Sequence, residues 1–321
     1  MPYYLGIDGG GTKTTCAVGD ERQLLATATA GPSNIVRVGE QRARESLHQC
    51  VRQACAAVGI TPAQIALTCV GAAGAARPEI AEAVRRMLAE ILRSPIDVVG
   101  DLQTALEAAF DTGPGVIVNA GTGSFAYGRN AQGKTARAGG WGFAIGDEGS
   151  AHWIGRAAVS AVLRACDRAT NQTRSEYEDS PLVAELMKVW GVSSLGDLAR
   201  IANSIPPPDF AALFPVVAAA AAEADDELAK QVLIRAGREL AEIADVVICR
   251  LFAAPDAASV VAPVQVAAVQ VAMIGGVFRH SPLVRQVFYN ELRDLDARAE
   301  INPQPVEPVE GALRLARRAG S

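Results

Sequence analysis

Two turns rich in glycine and threonine carry the groups of this sequence that are best suited to hold phosphate. The first is Asp8-Gly9-Gly10-Gly11-Thr12-Lys13-Thr14, and the second is Gly121-Thr122-Gly123-Ser124. Glycine lets backbone amides approach a phosphate closely, and a neighbouring hydroxyl or lysine adds further donors. The turns therefore predict phosphate contacts, although a tight hairpin without a ligand would explain either turn alone.

Neither turn fits the common nucleotide-binding loops. The first lacks the Gly-Lys-Ser/Thr ending of a Walker loop, and a strand, not a helix, is predicted after it. The second satisfies the looser G-x-G-x-x-A dinucleotide pattern, but residues 125–138 contain Gly128, Asn130 and Gly133 and indicate a polar hairpin. A Rossmann fingerprint requires a helix there, with its N-terminus facing the pyrophosphate. We therefore set both loop types aside.

Two aspartates stand where strands are predicted to end. Asp101 follows the β-rich run 96–99 and opens a predicted helix, at the kind of strand end where open α/β sheets bind ligands. Such a carboxylate could accept a proton from an attacking hydroxyl, while a plain helix N-cap is the other interpretation. Asp8 follows an apolar strand and precedes three glycines, which predicts a Mg²⁺ site reached through water. The three histidines have no triad-like neighbours, so Ser-His-Asp chemistry has no support.

The elements predicted around these residues repeat. Residues 5–30 and 116–138 share one plan of strand, Gly/Thr turn, strand, polar turn and strand, offset by about 110 residues. Two related lobes explain this economically, and the alternation of strands and helices indicates α/β domains with mixed sheets. After the first plan we predict helices over 39–58 and 78–92, strands over 65–70 and 96–99, and a helix starting just after Asp101. After the second we predict a helix over 151–169, an alanine-rich helical region over about 210–252, a strand over 266–274, and helices from about 282 and from 310.

Length and composition limit the possible classes of protein. The 321 residues with 50% hydrophobic content suffice for two medium domains, each with its own core. A net charge of -5 without a block of like charge predicts no nucleic-acid partner. The N-terminus shows neither a positive leader nor a long apolar run, so we expect a soluble, cytoplasmic protein without a membrane partner. The six scattered cysteines form no CxxC pair and are expected to be buried free thiols.

Five segments together point to one family. They are DGGGTKT at 8–14, Asn34 after Gly-Pro-Ser, Asp101 at a helix start, NAGTGS at 119–124 and GGWGFAIGDEGSAHW at 139–153. In these segments the chain closely resembles the N-acetylglucosamine kinases, which belong to the actin-like group of sugar kinases and ATPases. The resemblance covers nearly the whole chain, including 274–277 and 310–312, and GGWG followed by GDEGS is its most specific part. No motif can be placed between about 170 and 260.

The resemblance implies a fold. It predicts two actin-like (ribonuclease-H-like) lobes, each with a mixed five-stranded sheet, and an ATP cleft between them. The lobes would span 1–113 and 114–306, with a helical insertion at about 170–260, and the C-terminal helix within 307–321 would pack back onto the first lobe. A homodimer is also implied, although nothing in the spacing indicates it.

The resemblance also implies an activity. It predicts a MgATP-dependent kinase that transfers the γ-phosphate to the 6-hydroxyl of N-acetyl-D-glucosamine or a closely related amino sugar, with Asp101 as general base. Three groups of site residues follow. Sugar contacts fall on Asn34, Asp101, Gly123, Ser124, Asp147 and the wall Trp141, Gly142 and Phe143, where Glu148 could share. ATP contacts fall on Gly10, Gly11, Thr12, Lys13 and Thr122, with Gly275 and Gly276 at the nucleoside end, and Asp8 would serve Mg²⁺.

Each of these assignments has a plainer alternative. Lys13 could be an ordinary solvated lysine, and Asp147-Glu148 could be first-turn acids of the helix starting near residue 150. Trp141 and Trp153 could be core residues, and Gly275-Gly276 a simple strand-to-helix turn. His152 receives no role.

The function has alternatives as well. The sugar could be glucosamine, glucose or N-acetylmuramic acid, because one sequence does not display the pocket walls. A second class is an activator ATPase of the dehydratase-activating kind, whose shared iron-sulfur cluster needs cysteine ligands near a dimer axis. No suitable cysteine pair is present in the sequence. A sugar-sensing relative without catalysis is a third class, and the intact Asp101 argues against it.

Overall fold

The protein contains two mixed five-stranded sheets, one built on each copy of the repeated plan. The computed structural model describes residues 2–168, 180–253 and 268–320. The chain divides into two units: unit 1 comprises Met1–Gly115 and Val306–Ser321, and unit 2 comprises Val116–Pro305. The two sheets confirm the predicted α/β fold class.

The strands of unit 1 precede those of unit 2 in the chain. In unit 1 they are β1 (Tyr3–Gly9), β2 (Thr14–Gly19), β3 (Leu24–Ala30), β4 (Ile65–Ala72) and β5 (Ile96–Gly100). In unit 2 they are β6 (Gly115–Ala120), β7 (Ser124–Arg129), β8 (Thr135–Gly139), β9 (Val269–Ile274) and β10 (Ala299–Ile301). The sheet orders are β3-β2-β1-β4-β5 and β10-β9-β6-β7-β8, so the two sheets follow the same connection pattern.

The helices of the described ranges are numbered in chain order. They are α1 (Ile35–Val38), α2 (Glu40–Val58), α3 (Pro78–Ala89), α4 (Asp101–Phe110), α5 (Ala151–Arg168), α6 (Pro181–Trp190), α7 (Leu195–Ala202), α8 (Phe214–Glu223), α9 (Glu227–Leu251), α10 (Gly276–His280), α11 (Pro282–Leu295) and α12 (Pro308–Ala319). Short 3-10 turns occupy Pro62–Gln64 and Phe210–Leu213. None of these helices is long and apolar enough to cross a bilayer.

Both faces of the unit 1 sheet are buried. Because side chains alternate along a strand, Ile7 of β1 points to one face and Tyr4 to the other. The Ile7 face is covered by α2 and α3, which bury Leu47 and Met87 against it. The Tyr4 face is covered by α12, whose Leu313 packs in a separate cluster. Unit 1 is therefore completed by a helix that follows unit 2 in the chain.

α12 approaches its neighbours backbone to backbone. A Cβ at Gly6 of β1 would lie 2.7 Å from the carbonyl oxygen of Val309 and closer still to the amide of Leu313. A Cβ at Gly311 of α12 would lie 2.6 Å from the amide of Ala108 in α4. Side chains do not fit at either glycine, so these two crossings fix how deeply α12 sits on the sheet and on α4.

The core of unit 2 is built around α9. Most of the inward side of this helix is fully buried, including Leu240, Ala244 and Val247. Rings of Phe278 and Phe288 meet edge to face with centroids 5.1 Å apart and extend the same cluster towards α10 and α11. Strands β6 and β9 run parallel, as do β9 and β10, whereas β7 and β8 are antiparallel.

The predicted helical region over about 210–252 is present but interrupted. A 3-10 turn, α8 and α9 occupy it, and the break lies at Asp225, which adopts a left-handed φ of 55°. Asp226 then starts α9 by accepting a hydrogen bond from the amide of Ala229 at 3.0 Å. A left-handed residue followed by a capping aspartate is enough to separate two segments that both favour helix.

The other predicted elements are present with shifted ends. The predicted helix over 78–92 stops at Ala89, and the last helix begins at Pro308, two residues early, because proline suits the first helical position. Residue 169 of the predicted helix 151–169 and residues 266 and 267 of the predicted strand 266–274 lie outside the described residues. Sequence analysis did not predict α1, α6, α7, α10 or β10.

A buried glutamate joins α4 to α12. Glu107 is 5% exposed and pairs with Arg318, which also contacts Asp111. Arg314 donates to the backbone carbonyls of Glu107 and Ala108, each at 3.1 Å. Burial and the hydrogen bond with Asp111 raise the pKa of Glu107, and Arg318 opposes that rise.

We expect Arg318→Met to destabilise unit 1 in a pH-dependent way. Removing the cation leaves Glu107 buried without its charged partner, at a cost of about 1–2 kcal/mol, towards the lower end because Arg318 is half exposed. A carboxyl whose pKa is raised on folding favours the folded state below that pKa and loses the advantage above it. The deficit relative to wild type therefore grows from pH 5 to pH 8.

Thermal unfolding at several pH values measures this deficit. Glu107→Gln combined with Arg318→Met should remove its pH dependence. Arg86→Met, which breaks the exposed pair with Glu40, is the control and should change little. A deficit for Arg318→Met that is equal at pH 5 and pH 8 would contradict the assignment to Glu107.

Candidate functional site

The predicted site residues fall into two groups, one in each unit. The group in unit 1 is Asp8, Gly10, Gly11, Thr12, Lys13, Asn34 and Asp101. The group in unit 2 is Thr122, Gly123, Ser124, Trp141, Gly142, Phe143, Asp147, Gly275 and Gly276. Each group lies where the parallel strands of its sheet end.

In unit 1 the strand ends line up. Gly9 of β1 is in register with Ala72 of β4, which is in register with Gly100 of β5. Neighbouring strands are about 4.8 Å apart, so the glycine turn after β1 and Asp101 after β5 stand about 10 Å apart along one edge. The sheet thus brings together a phosphate-binding type of turn and a candidate base from distant parts of the sequence.

The glycine turn is held by the segment that follows β3. The amide of Gly10 donates to the carbonyl of Lys13 at 3.0 Å and closes the hairpin. The Gly10 carbonyl accepts from the amides of Ser33 at 3.1 Å and Asn34 at 3.2 Å. Beneath it, the buried hydroxyls of Thr14 and Ser33 lie 2.8 Å apart. The side chains of Thr12 and Lys13 are exposed at the tip, so the surface interpretation of Lys13 stays open.

Asn34 caps the short helix α1 beside this turn. Its Oδ1 accepts from the amide of Val36 at 3.1 Å, which leaves its amide group directed towards Gly11. Arg37 of α1 also lies there, with Nη1 3.4 Å from the position that a Cβ on Gly11 would take. Sequence analysis missed this cation; its only signal is a basic residue one helical turn after Asn34.

Asp101 occupies the first position of α4, not its N-cap. Gly100 is the N-cap, with extended backbone angles, so the interpretation of Asp101 as a plain N-cap is wrong. Asp101 Oδ1 accepts from the amide of Leu102 at 3.0 Å. A carboxylate here is stabilised by the helix N-terminus and held in one orientation by that amide.

In unit 2 the second turn is tied to the start of α5. The amide of Gly121 and the side-chain amide of Asn119 donate to the Gly123 carbonyl at 3.0 and 3.2 Å. The Gly121 carbonyl accepts from the amide of Ala151 at 2.8 Å. The turn, the end of β6 and the first residue of α5 therefore form one hydrogen-bonded unit.

Asp147 connects this turn to the GGWG segment. It is 9% exposed, has a left-handed φ of 60°, and accepts from the amide of Gly142 at 3.2 Å and from the amide of Ser124. Burial raises the pKa of Asp147, and these two amide hydrogen bonds oppose the rise. A Cβ on Gly123 would lie 2.7 Å from Asp147 Oδ2. Since α5 begins at Ala151, the interpretation of Asp147 as a first-turn acid is wrong.

The GGWG segment presents apolar side chains outward. Trp141, Phe143 and Ile145 are 77%, 50% and 81% exposed, so the core interpretation of Trp141 is wrong. Trp153 is 6% exposed and lies in the core, as its plainer alternative predicted. His152 packs between the rings of Phe143 and Phe210, at 4.9 and 5.2 Å between centroids, and supports the base of the segment. Ile145 was not predicted as part of the site.

Gly275 follows β9 directly beside the end of β6. Asn119 and Ile274 are in register, and Gly275 adopts a φ of 102°. A Cβ there would lie 3.0 Å from the amide of Gly121 and closer to the carbonyl of Ala120. The next residue, Gly276, begins α10, and nothing lies within 4 Å of the position that its Cβ would take.

The chain matches the model of the BadF/BadG/BcrA/BcrD ATPase family over residues 5–316. It belongs to that family. The chain is 33% identical over 244 residues to an N-acetylmuramic acid/N-acetylglucosamine kinase of Clostridium acetobutylicum. The match covers 75% of this chain and 77% of that one.

Two further comparisons agree. The family member is 29% identical over 259 residues to an N-acetyl-D-glucosamine kinase of Dictyostelium discoideum, covering 77% of this chain and 80% of that one. A solved structure from Chromobacterium violaceum, assigned as an N-acetylglucosamine kinase, superposes with a TM-score of 0.71 at 24% identity, covering 98% and 99% of the two chains. The resemblance to the N-acetylglucosamine kinases is confirmed, and the homologues are amino-sugar kinases.

We expect Gly275→Ala to destabilise unit 2 while Gly276→Ala does not. The first variant strains the backbone and places a Cβ against the end of β6, whereas nothing lies within 4 Å of a Cβ on Gly276. The strain should cost about 2 kcal/mol or more, which lowers Tm by about 4–8 °C. Calorimetry of the two matched variants measures the difference, and equal Tm values would show that the packing at Gly275 is looser than described.

Proposed function

We propose that this chain is an ATP-dependent kinase that phosphorylates the 6-hydroxyl of N-acetyl-D-glucosamine or a closely related amino sugar. The observation that carries the proposal is the shared edge of unit 1, where the glycine–threonine turn after β1 and Asp101 after β5 lie on either side of the end of β4. A turn that can take phosphate and a base on the same sheet edge are two parts that phosphoryl transfer to an alcohol requires. Kinase relatives of 33% and 29% identity support the same conclusion.

Asp101 is assigned as the general base. It accepts the proton of the sugar 6-hydroxyl as the oxygen attacks the γ-phosphorus, while the bond to ADP breaks. The Leu102 amide at the N-terminus of α4 holds this carboxylate in one orientation before the substrate arrives. Catalysis then depends on the position of α4.

The phosphates are assigned to Gly10, Gly11, Thr12 and Lys13, with Thr122 as the matching residue of unit 2. Asp8 is half-buried at the same strand end, and its carboxylate is the oxygen donor that Mg²⁺ prefers. We assign it to Mg²⁺ through water. When bound there, Mg²⁺ would neutralise phosphate charge. Gly275 and Gly276 are assigned to the nucleoside.

The sugar is assigned to side chains that can meet several hydroxyls. Asn34 uses its Oδ1 for the α1 cap and can donate from Nδ2, and Asp147 offers a carboxylate fixed by two amides. Ser124, Gly123 and Gly142 stand around Asp147, and Trp141 with Phe143 supplies an apolar wall for a ring face. A site with such fixed polar groups rejects analogues that leave them unpaired.

The activator ATPase alternative finds no support in the cysteines. Cys16, Cys50, Cys55 and Cys69 are buried, so they cannot meet a partner subunit. Cys166 is half-buried and Cys249 is exposed, but they belong to different helices. We also propose a cytoplasmic homodimer, on the family resemblance alone.

A panel of sugars tests the proposal. ADP release should be fast with N-acetylglucosamine or N-acetylmuramic acid and slower with glucosamine or glucose, and slow without sugar. N-acetylmuramic acid is included because the Clostridium relative is named for it. Asp101→Asn should lower kcat by about 10²–10⁴-fold at unchanged Tm. Asp97→Asn, which changes an exposed carboxyl on the strand that precedes Asp101, is the matched control. Wild-type turnover by Asp101→Asn would remove Asp101 from the mechanism.

Trp141 should report sugar binding by fluorescence. Its indole is 77% exposed and would be covered by a sugar ring, whereas Trp153 is 6% exposed and shielded already. We expect the preferred sugar to change the emission of the wild type and to leave that of Trp141→Phe unchanged. An undiminished response in Trp141→Phe would place the sugar elsewhere.

A further inference from the structure

The residue beside Asp8 on the neighbouring strand is a glycine. The register pairs Asp8 of β1 with Gly71 of β4, and Gly71 with Val99 of β5. Paired residues point to the same face of a sheet, so these three positions share the face that α4 and α12 cover. Gly71 contributes no side chain to this row, which leaves a space directly beside Asp8.

Thr104 of α4 fills that space. A Cβ on Gly71 would lie 2.8 Å from Thr104 Cγ2 and closer to its Oγ1. Thr104 is 0% exposed. Its methyl and hydroxyl therefore rest on the backbone of β4 next to Asp8, and the depth of α4 on the sheet is set by this contact.

The same hydroxyl reaches the first residue of the helix. Thr104 Oγ1 donates to the backbone carbonyl of Asp101 at 2.9 Å. One side chain thus touches the strand beside Asp8 and holds the residue that opens α4. α12 packs on the same sheet face beside α4, since a Cβ on Gly311 would lie against the Thr104 carbonyl. α4 is therefore held against β4 through Thr104 and against α12 at Gly311.

We propose that Thr104 is a positioning residue that sets the placement of Asp101 relative to Asp8. The contact over Gly71 fixes how deeply α4 sits, and the hydroxyl bond fixes the rotation of its first turn. The inference rests on the proposed function only for the chemistry of the two carboxylates. Small displacements of a reacting group are costly, since a shift of about 1 Å lowers rates by about 10²-fold.

Thr104→Val tests the role of the hydroxyl. Valine has nearly the same shape, so α4 keeps its contact with Gly71 but loses the bond to Asp101. We expect kcat to fall about 10- to 100-fold while KM for the sugar and for ATP stays within about threefold. Thr104→Ser keeps the hydroxyl and should retain kcat within about threefold of wild type.

The control is a buried threonine on β4, the strand that Thr104 contacts. Thr68 of β4 is 0% exposed and is paired with Ile96, at the opposite end of β5 from Asp101. Thr68→Val removes an equivalent hydroxyl and should leave kcat and KM unchanged. Thr104→Ala, which only removes atoms, provides a second measurement if Thr104→Val does not fold, and it should show the same loss of kcat.

The outcomes separate this inference from the proposed function. Wild-type kcat in Thr104→Val or Thr104→Ala overturns the positioning role, and so does an equal loss in Thr104→Ser and Thr104→Val. If Asp101→Asn is inactive while Thr104→Val is fully active, only the positioning role fails. If Asp101→Asn itself is active, the base assignment fails, whatever Thr104 does.

Discussion

The close crossing of α12 over β1 and α4 is the constraint on which unit 1 depends. Gly6 and Gly311 allow main chain to lie directly on main chain, and a side chain at either position would push the helix outward. α4 packs against both α12 and β4. Since Asp101 begins α4, the position of the candidate base depends on the packing of α4 against β4 and α12. None of the residues in these contacts is assigned a catalytic role.

Unit 2 uses a buried carboxylate for a similar purpose. Asp147 accepts amides from Gly142 and Ser124, two segments that are adjacent in space but distant in sequence. Two amide donors compensate for the burial of the charge, so the residue is both a rigid joint and a candidate sugar contact. Asparagine at this position would replace one carboxylate oxygen with an amide donor and would remove the charge that the two amides stabilise.

The sequence predicts the positions of the two turns and of the helix start near Asp101 because their signals are local. Glycine clusters after apolar runs mark strand ends, and the repetition of the plan confirms their equivalence. The break at Asp225 escapes detection because the flanking segments both favour helix and one left-handed residue suffices to interrupt them. Arg37 was missed because α1 has four residues, too few for a periodic pattern. The contact of Thr104 with Gly71 depends on strand register and helix depth, which no single segment encodes.

The position of α12 in the chain has a consequence for how the protein is made. The apolar sheet face formed by Tyr4, Ala17 and Cys69 is covered by Leu313 and Ala316, which the ribosome adds only after all of unit 2. A nascent chain therefore exposes this apolar sheet face until α12 has been synthesised. Such a surface is suited to transient chaperone contact. The edge that carries the glycine turn and Asp101 therefore depends on packing by a helix that is synthesised after unit 2.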